Sequence, residues 1–132
     1  MHSESACRLC RALAGNPEVE VYRSVCAIED RYPVTPGHYL VIPRRHTADW
    51  FTMTGAERRD AQQLLQILAE KLRAMDPLIT GFNIGMNCGK SAGQTIYHAH
   101  LHLIPRRDGD TPDPAGGVRG VIPDKRRYPL LP

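Results

Sequence analysis

The chain has 132 residues and a mass of 14.8 kDa, the size of one compact domain with a single core. Hydrophobic residues at 42% and charged residues at 23% exclude wholesale disorder, collagen and coiled coil. No apolar run reaches the roughly 18 residues of a membrane helix, and a net charge of +3 is too mild to argue for duplex nucleic acid, although Arg106 to Arg127 is locally basic.

The opening Met-His-Ser-Glu-Ser has neither a positive nor an apolar leader region, so the expected location is the cytoplasm. Four cysteines there point to a metal or free thiols before disulfides. Cys7-Arg8-Leu9-Cys10 is a CxxC entering a short helix that Gly15 and Pro17 stop. Alone it signals zinc only moderately, because two further ligands are needed; a redox pair is the alternative, against which the βαβ context is missing. Val19 to Tyr22 and Val25 to Ile28 read as a hairpin, with Cys26 pointing inward. Cys88, like Cys26, is expected to act as a small buried apolar residue. Tyr32 to Gly37 is a proline-stiffened loop, and His38 to Ile42 is an apolar, central strand closed by Pro43 and the basic turn Arg44-Arg45-His46.

The long helix spans Gly55 to Met75. Ala61, Leu64, Leu65, Leu68, Leu72 and Met75 form its apolar stripe, with Thr54 as N-cap and Glu57 completing a capping box. Gly81 to Asn87 is a strand with Asn83 outward and Ile84 inward, Gly89 to Gly93 a turn, and His98 to Pro105 the last strand. From Arg106 to Pro132 the chain is rich in proline and glycine and reads as an irregular tail, giving a domain over 1–105 and a tail over 106–132.

The last strand carries the most chemistry. Alternation puts His98, His100 and His102 on one face, about 6.6 Å apart, and Ala99, Leu101 and Leu103 on the other, against the long helix. Three imidazoles in a row serve a catalytic metal, or phosphoryl transfer in which a neutral imidazole attacks phosphorus. The preceding Gly89 to Thr95 segment, with its backbone N–H groups, the Gln94 amide and the Thr95 hydroxyl, has the parts of a phosphate nest and favours the second reading.

The run Gly93-Gln94-Thr95-Ile96-Tyr97-His98-Ala99-His100-Leu101-His102-Leu103-Ile104 resembles the histidine triad (HIT) signature, and Gly37 to His46 is similar to the family's second hallmark. The resemblance implies an α+β fold: a five-stranded antiparallel sheet with one long helix and a short N-terminal helix, the sheet continued across a homodimer. It implies His100 as the nucleophile, forming a nucleotidyl-histidine at the α-phosphate of a purine nucleotide that water then hydrolyses. His102, Gln94 and Gly93 hold that phosphate in this reading, Thr95 and Asn83 complete its shell, and Asp30 binds the ribose. As structural alternatives, Asp30 is a turn aspartate and Asn83 a strand-edge amide. A histidine at the third triad position, His102, points away from the uridylyltransferase branch and toward a hydrolase of nucleoside phosphoramidates or dinucleoside polyphosphates.

The same resemblance supplies zinc ligands for the CxxC: Cys7, Cys10, His46 and His98 would close a structural tetrahedral site, with no organic cofactor. Zinc on His98 leaves leaving-group protonation to His102 or a bound water. His38 reads as a hydrogen-bonded core histidine behind the triad. In the tail, Arg119 and Lys125 either lie solvated on the surface or reach a longer polyphosphate. The competing functional classes are a non-catalytic nucleotide-binding module, a dinucleoside polyphosphate phosphorylase, and a hydrolase using a metal on His98, His100 and His102.

Overall fold

The computed structural model describes residues 6–129; the opening segment and the end of the tail, on which two of the sequence readings fall, lie outside them. Helix α1 (Arg8–Leu13) is followed by strands β1 (Glu20–Tyr22), β2 (Val25–Glu29) and β3 (Tyr39–Pro43), helix α2 (Gly55–Met75), and strands β4 (Ile79–Gly85) and β5 (Leu101–Arg107). The strands form one antiparallel sheet in the order β1-β2-β3-β5-β4, with β3 at its centre as its apolar sequence suggests.

The sheet has two unlike faces because side chains alternate along each strand. Val25, Ala27, Val41, Leu101 and Leu103 face α2 and bury with its Ala61, Leu64 and Leu68. Cys26, Leu40 and Ile42 face the other way, where Cys7 and Leu9 cover them. Register carries the alternation across strands: Leu40 lies opposite both Ile28 and His102, and His102 opposite Gly85, so these residues share the α1 face.

Helix α2 starts where its cap directs. Thr54 Oγ1 accepts the Glu57 N–H at 3.0 Å, and Glu57 Oε1 accepts the Thr54 N–H at 2.8 Å. The buried Glu57 carboxylate also takes a two-pronged Arg45 contact at 2.8 and 3.1 Å, and this guanidinium holds it below the usual carboxyl range. The turn that carries His46 is thereby anchored to the first turn of α2.

Several boundaries differ from the sequence reading. The last strand begins at Leu101, not His98, because the Ala99 N–H donates to the Thr47 carbonyl at 2.7 Å instead of entering the ladder. β4 runs 79–85, not 81–87, extended at its start by a bulge and ended where its antiparallel partner β5 begins. Ile84, expected inward, is 50% exposed on this edge strand, and Met75 of the predicted stripe is exposed at the end of α2. Cys26 is buried as expected, its thiol pushed up to about 11 by desolvation, whereas Cys88 is only half-buried. The 105/106 boundary falls within β5, and the tail contains 3₁₀ turns at Gly117–Val121 and Pro123–Lys125.

Leu103 is fully buried between sheet and helix. Leu103→Ala is expected to cost about 2–5 kcal/mol through lost burial and a residual cavity, read as a lower midpoint in chemical denaturation at unchanged slope.

Candidate active site and metal centre

On the α1 face, a cleft of about 370 Å³ is lined by Asp30, Asn87, Gln94, Thr95, His100 and His102, together with apolar side chains of α1, β2 and β3. The chain reversal after β4 and the late start of β5 deliver the triad residues to different places. His98 is fully buried and turns away from the cleft, while His100 and His102 remain in it with ring centroids 5.3 Å apart. The expectation of three histidines sharing one open face is therefore corrected: two do, and the first is diverted before the strand begins.

Fixed partners settle the protonation of each ring. A carbonyl oxygen only accepts, so an imidazole nitrogen beside one must carry the proton. His100 Nδ1 lies 2.8 Å from the His98 carbonyl, which makes it an Nδ1–H donor and leaves the lone pair on Nε2. His98 Nε2 lies 2.7 Å from the Pro43 carbonyl, so His98 keeps its lone pair on Nδ1. His38 Nδ1 accepts the Val34 N–H at 3.0 Å, so its Nε2–H donates to His102 Nδ1 at 2.9 Å. His102, accepting at Nδ1, then carries its own N–H at Nε2. His100 is thus the one of these four whose Nε2 is a free base and nucleophile, and beside it stands an imidazole with an Nε2–H to donate.

Burial keeps His102 and His38 neutral. Desolvation lowers the pKa of His102 to about 4, helped by the neighbouring charges His100 and His38 would carry and opposed by Asp30. Desolvation also lowers His38, again opposed by Asp30, whose Oδ2 lies 3.5 Å from His38 Nε2. A carboxylate does therefore sit beside the histidines, brought by β2 from a distant part of the chain. The 2.9 Å separation of His38 and His102 is that of a hydrogen bond and shorter than the roughly 3.3 Å between two nitrogens on one tetrahedral zinc.

The diverted His98 enters a second cluster. Its Nδ1 lies 3.5 Å from Cys7 Sγ, 3.3 Å from Cys10 Sγ and 3.3 Å from His46 Nδ1, and Cys10 Sγ is 3.3 Å from His46 Nδ1. The four donor atoms all lie within 4.8 Å of one another. A tetrahedral zinc with ordinary bond lengths sets nitrogen–nitrogen edges of about 3.3 Å and sulfur–nitrogen edges of about 3.6 Å. The distances fit, the two-sulfur, two-nitrogen donor set suits zinc, and the Pro43 carbonyl on Nε2–H fixes the ligating tautomer of His98. With Nε2 on the Pro43 carbonyl and Nδ1 among the cluster donors, His98 is turned away from the cleft and touches it through its carbonyl on His100.

The remaining site residues separate. Asp30 and the exposed Thr95 line the cleft. Gln94 reaches it, but its amide is committed to backbone: Nε2 donates to the Ala48 and Ile96 carbonyls at 2.6 and 3.0 Å, and Oε1 accepts the Gly89 N–H at 2.8 Å. Gln94 therefore staples the loop that holds Thr95 instead of presenting a phosphate donor. Gly93 lines the cleft with its N–H bonded to the Lys90 carbonyl at 3.0 Å. Asn83 does not line this cleft; it accepts from Arg106 at 2.7 Å in a separate groove under the tail. The asparagine in the cleft is Asn87, which sequence reasoning passed over. Its signal was the two-residue period: continuing the Gly85–His102 register sets Asn87 opposite His100. Arg119 is likewise not in the cleft; its Nε bonds to the Lys125 and Arg126 carbonyls, and its guanidinium stacks 4.1 Å from the Tyr128 ring.

Comparison with known proteins agrees with this geometry. Residues 16–109 match the model of the HIT domain. An uncharacterised HIT-like protein of Mycobacterium tuberculosis is 36% identical over 115 residues, covering 85% of this chain and 79% of its own. A protein of the same organism named AP-4-A phosphorylase is 34% identical over 89 residues, covering 65% of this chain and 44% of its own. Among solved structures, a zinc-bound histidine triad family protein of Mycobacterium smegmatis superposes with a TM-score of 0.73 at 33% identity, covering 84% of this chain and 86% of that one.

Two outcomes follow from the site. Purified protein is expected to carry one zinc per chain by elemental analysis, and Cys10→Ala to lose it. Because folding lowers the His102 pKa from 6.5 to about 4, the unfolded state takes up the proton first; the stability this group contributes is complete above about pH 6.5 and declines as pH falls toward 4. Between pH 7 and pH 5, the melting temperature of the wild type should fall further than that of His102→Gln.

Proposed function

The chain belongs to the HIT family, and on that premise we propose that it transfers and hydrolyses nucleotides at the α-phosphate, releasing a nucleoside monophosphate from a nucleoside phosphoramidate or a dinucleoside polyphosphate. The observation that carries this reading is the Nδ1–H of His100 on the His98 carbonyl, which turns Nε2 as the nucleophilic nitrogen into the cleft. His100 Nε2 attacks phosphorus, the bond from phosphorus to the leaving nitrogen or oxygen breaks, and the leaving group takes a proton from a bound water. The hydroxide left by that water then attacks the nucleotidyl-histidine, the P–N bond breaks, and its electron pair returns to His100 Nε2, which restores the starting tautomer.

His102 Nε2–H, Thr95 Oγ1 and the Asn87 amide, neutral donors lining the cleft, hold the phosphoryl oxygens. Asp30 accepts the ribose hydroxyls, and the apolar cleft side chains receive the base, with purine preferred. Zinc at Cys7, Cys10, His46 and His98 is structural: four protein ligands leave no position for substrate. The thiolate ligands suit a reducing cytoplasm. Two copies pair through the free edge of β4, where Ile84 is exposed, to continue the sheet in a homodimer. No helix among the described residues is long and apolar enough to cross a membrane.

Phosphorolysis is the second reading, favoured by the relative named AP-4-A phosphorylase. In it, phosphate replaces water in the second step and a nucleoside diphosphate leaves.

The test is a time course with adenosine phosphoramidate and diadenosine tetraphosphate, with and without inorganic phosphate. Adenosine monophosphate should appear, and His100→Ala should lower kcat by at least about 10³-fold while still binding nucleotide. Adenosine diphosphate formed only with added phosphate selects the phosphorylase; binding without turnover of either substrate selects a nucleotide-binding module.

A further inference from the structure

Helix α1 with its N-cap contributes residues both to the metal cluster and to the cleft. Cys7, its N-cap, and Cys10, one turn later, put both sulfurs into the cluster. Arg8, Leu9 and Ala12 line the cleft together with Ile28, Asp30 and His100. A helix of six residues does not persist alone, so its position is set by what its side chains touch. Leu9, 6% exposed, packs with Leu40 and Ile42, Leu13 packs beside them, and the two cysteines tie the helix to His46 and His98. The far side of the cluster bears on the nucleophile as well, through the His98 carbonyl on His100 Nδ1.

We propose that the metal centre holds in place the cleft wall that α1 forms with Leu9 and Ala12, and thereby couples to whatever nucleotide the cleft receives. Metal occupancy and nucleotide binding then reinforce one another. The inference rests on the nucleotide reading above and adds a coupling between two sites. Without the ion, two thiol groups and two imidazoles are left packed together, Cys7 and His98 out of water, and α1 loses the tie through its two sulfurs. Nucleotide seated against Leu9 and Ala12 holds α1 from its other side, which opposes opening of the cluster. By linkage, the factor by which zinc tightens nucleotide is the factor by which nucleotide tightens zinc.

The experiment uses the zinc-loaded protein and adenosine monophosphate. Affinity is measured by calorimetry, and zinc transfer to a chromophoric chelator is timed with and without saturating nucleotide. The expected results are transfer slowed by about tenfold and, after zinc removal, affinity weakened by about tenfold with the far-ultraviolet dichroism of the sheet retained. Ala12→Trp should keep one zinc and the same fold while weakening adenosine monophosphate by about tenfold or more. If the stripped protein unfolds, the transfer rate, measured on folded protein, still decides. Zinc-loaded protein that binds adenosine monophosphate yet releases zinc at the same rate with and without it overturns the coupling, and unchanged affinity in Ala12→Trp overturns the assignment of the wall. Zinc-loaded protein that binds no nucleotide overturns the nucleotide reading itself.

Discussion

The hydrogen bond from His100 Nδ1–H to the His98 carbonyl is the contact on which the site depends. An imidazole with its proton on Nε2 would present a donor to the cleft, and the ring would have no electron pair for phosphorus. The carbonyl is available because the chain between the Gln94 loop and β5 is not yet a strand: Ala99 pairs with Thr47, and His98 is buried beneath. The same irregularity that shortens β5 sends one histidine into the cluster with Cys7, Cys10 and His46 and leaves the next in the cleft with its lone pair on Nε2.

Neighbouring imidazoles are given opposite tasks by neighbouring carbonyls and amides. The Val34 N–H sets His38, His38 sets His102, and the Pro43 carbonyl sets His98. Burial enforces neutrality on His102 and His38, so their donors and acceptors stay as the backbone dictates at neutral pH. The anchors lie in distant parts of the chain: Arg45 on Glu57 ties the His46 turn to α2, and the Gln94 amide ties the loop before the triad to Ala48. The sheet's α2 face is a packed apolar support for this arrangement, and its α1 face carries the polar work.

Much of this was legible in the sequence. Thr54 with Glu57, the stripe from Ala61 to Leu72 and the hairpin residues follow local rules of capping and periodicity, and they appear where those rules place them. The metal set of Cys7, Cys10, His46 and His98 was legible only through family resemblance, because its members join over sequence separations of up to 91 residues. Strict alternation misled at His98, since tertiary bonds from Pro43 and Thr47 pulled it out of the ladder. It would have found Asn87 had the register with His100 been known, but register is a tertiary fact. Gln94 and Arg119 carry side chains fit for phosphate, and composition cannot reveal that backbone carbonyls already occupy them.

Long-range proton–nitrogen correlation spectra of histidine-labelled protein at neutral pH test the account most directly. They should show His38, His98 and His102 protonated at Nε2 and His100 alone of the four protonated at Nδ1, with a bare Nε2. A His100 protonated at Nε2 would contradict the hydrogen bond to His98 and remove the nucleophile from the cleft.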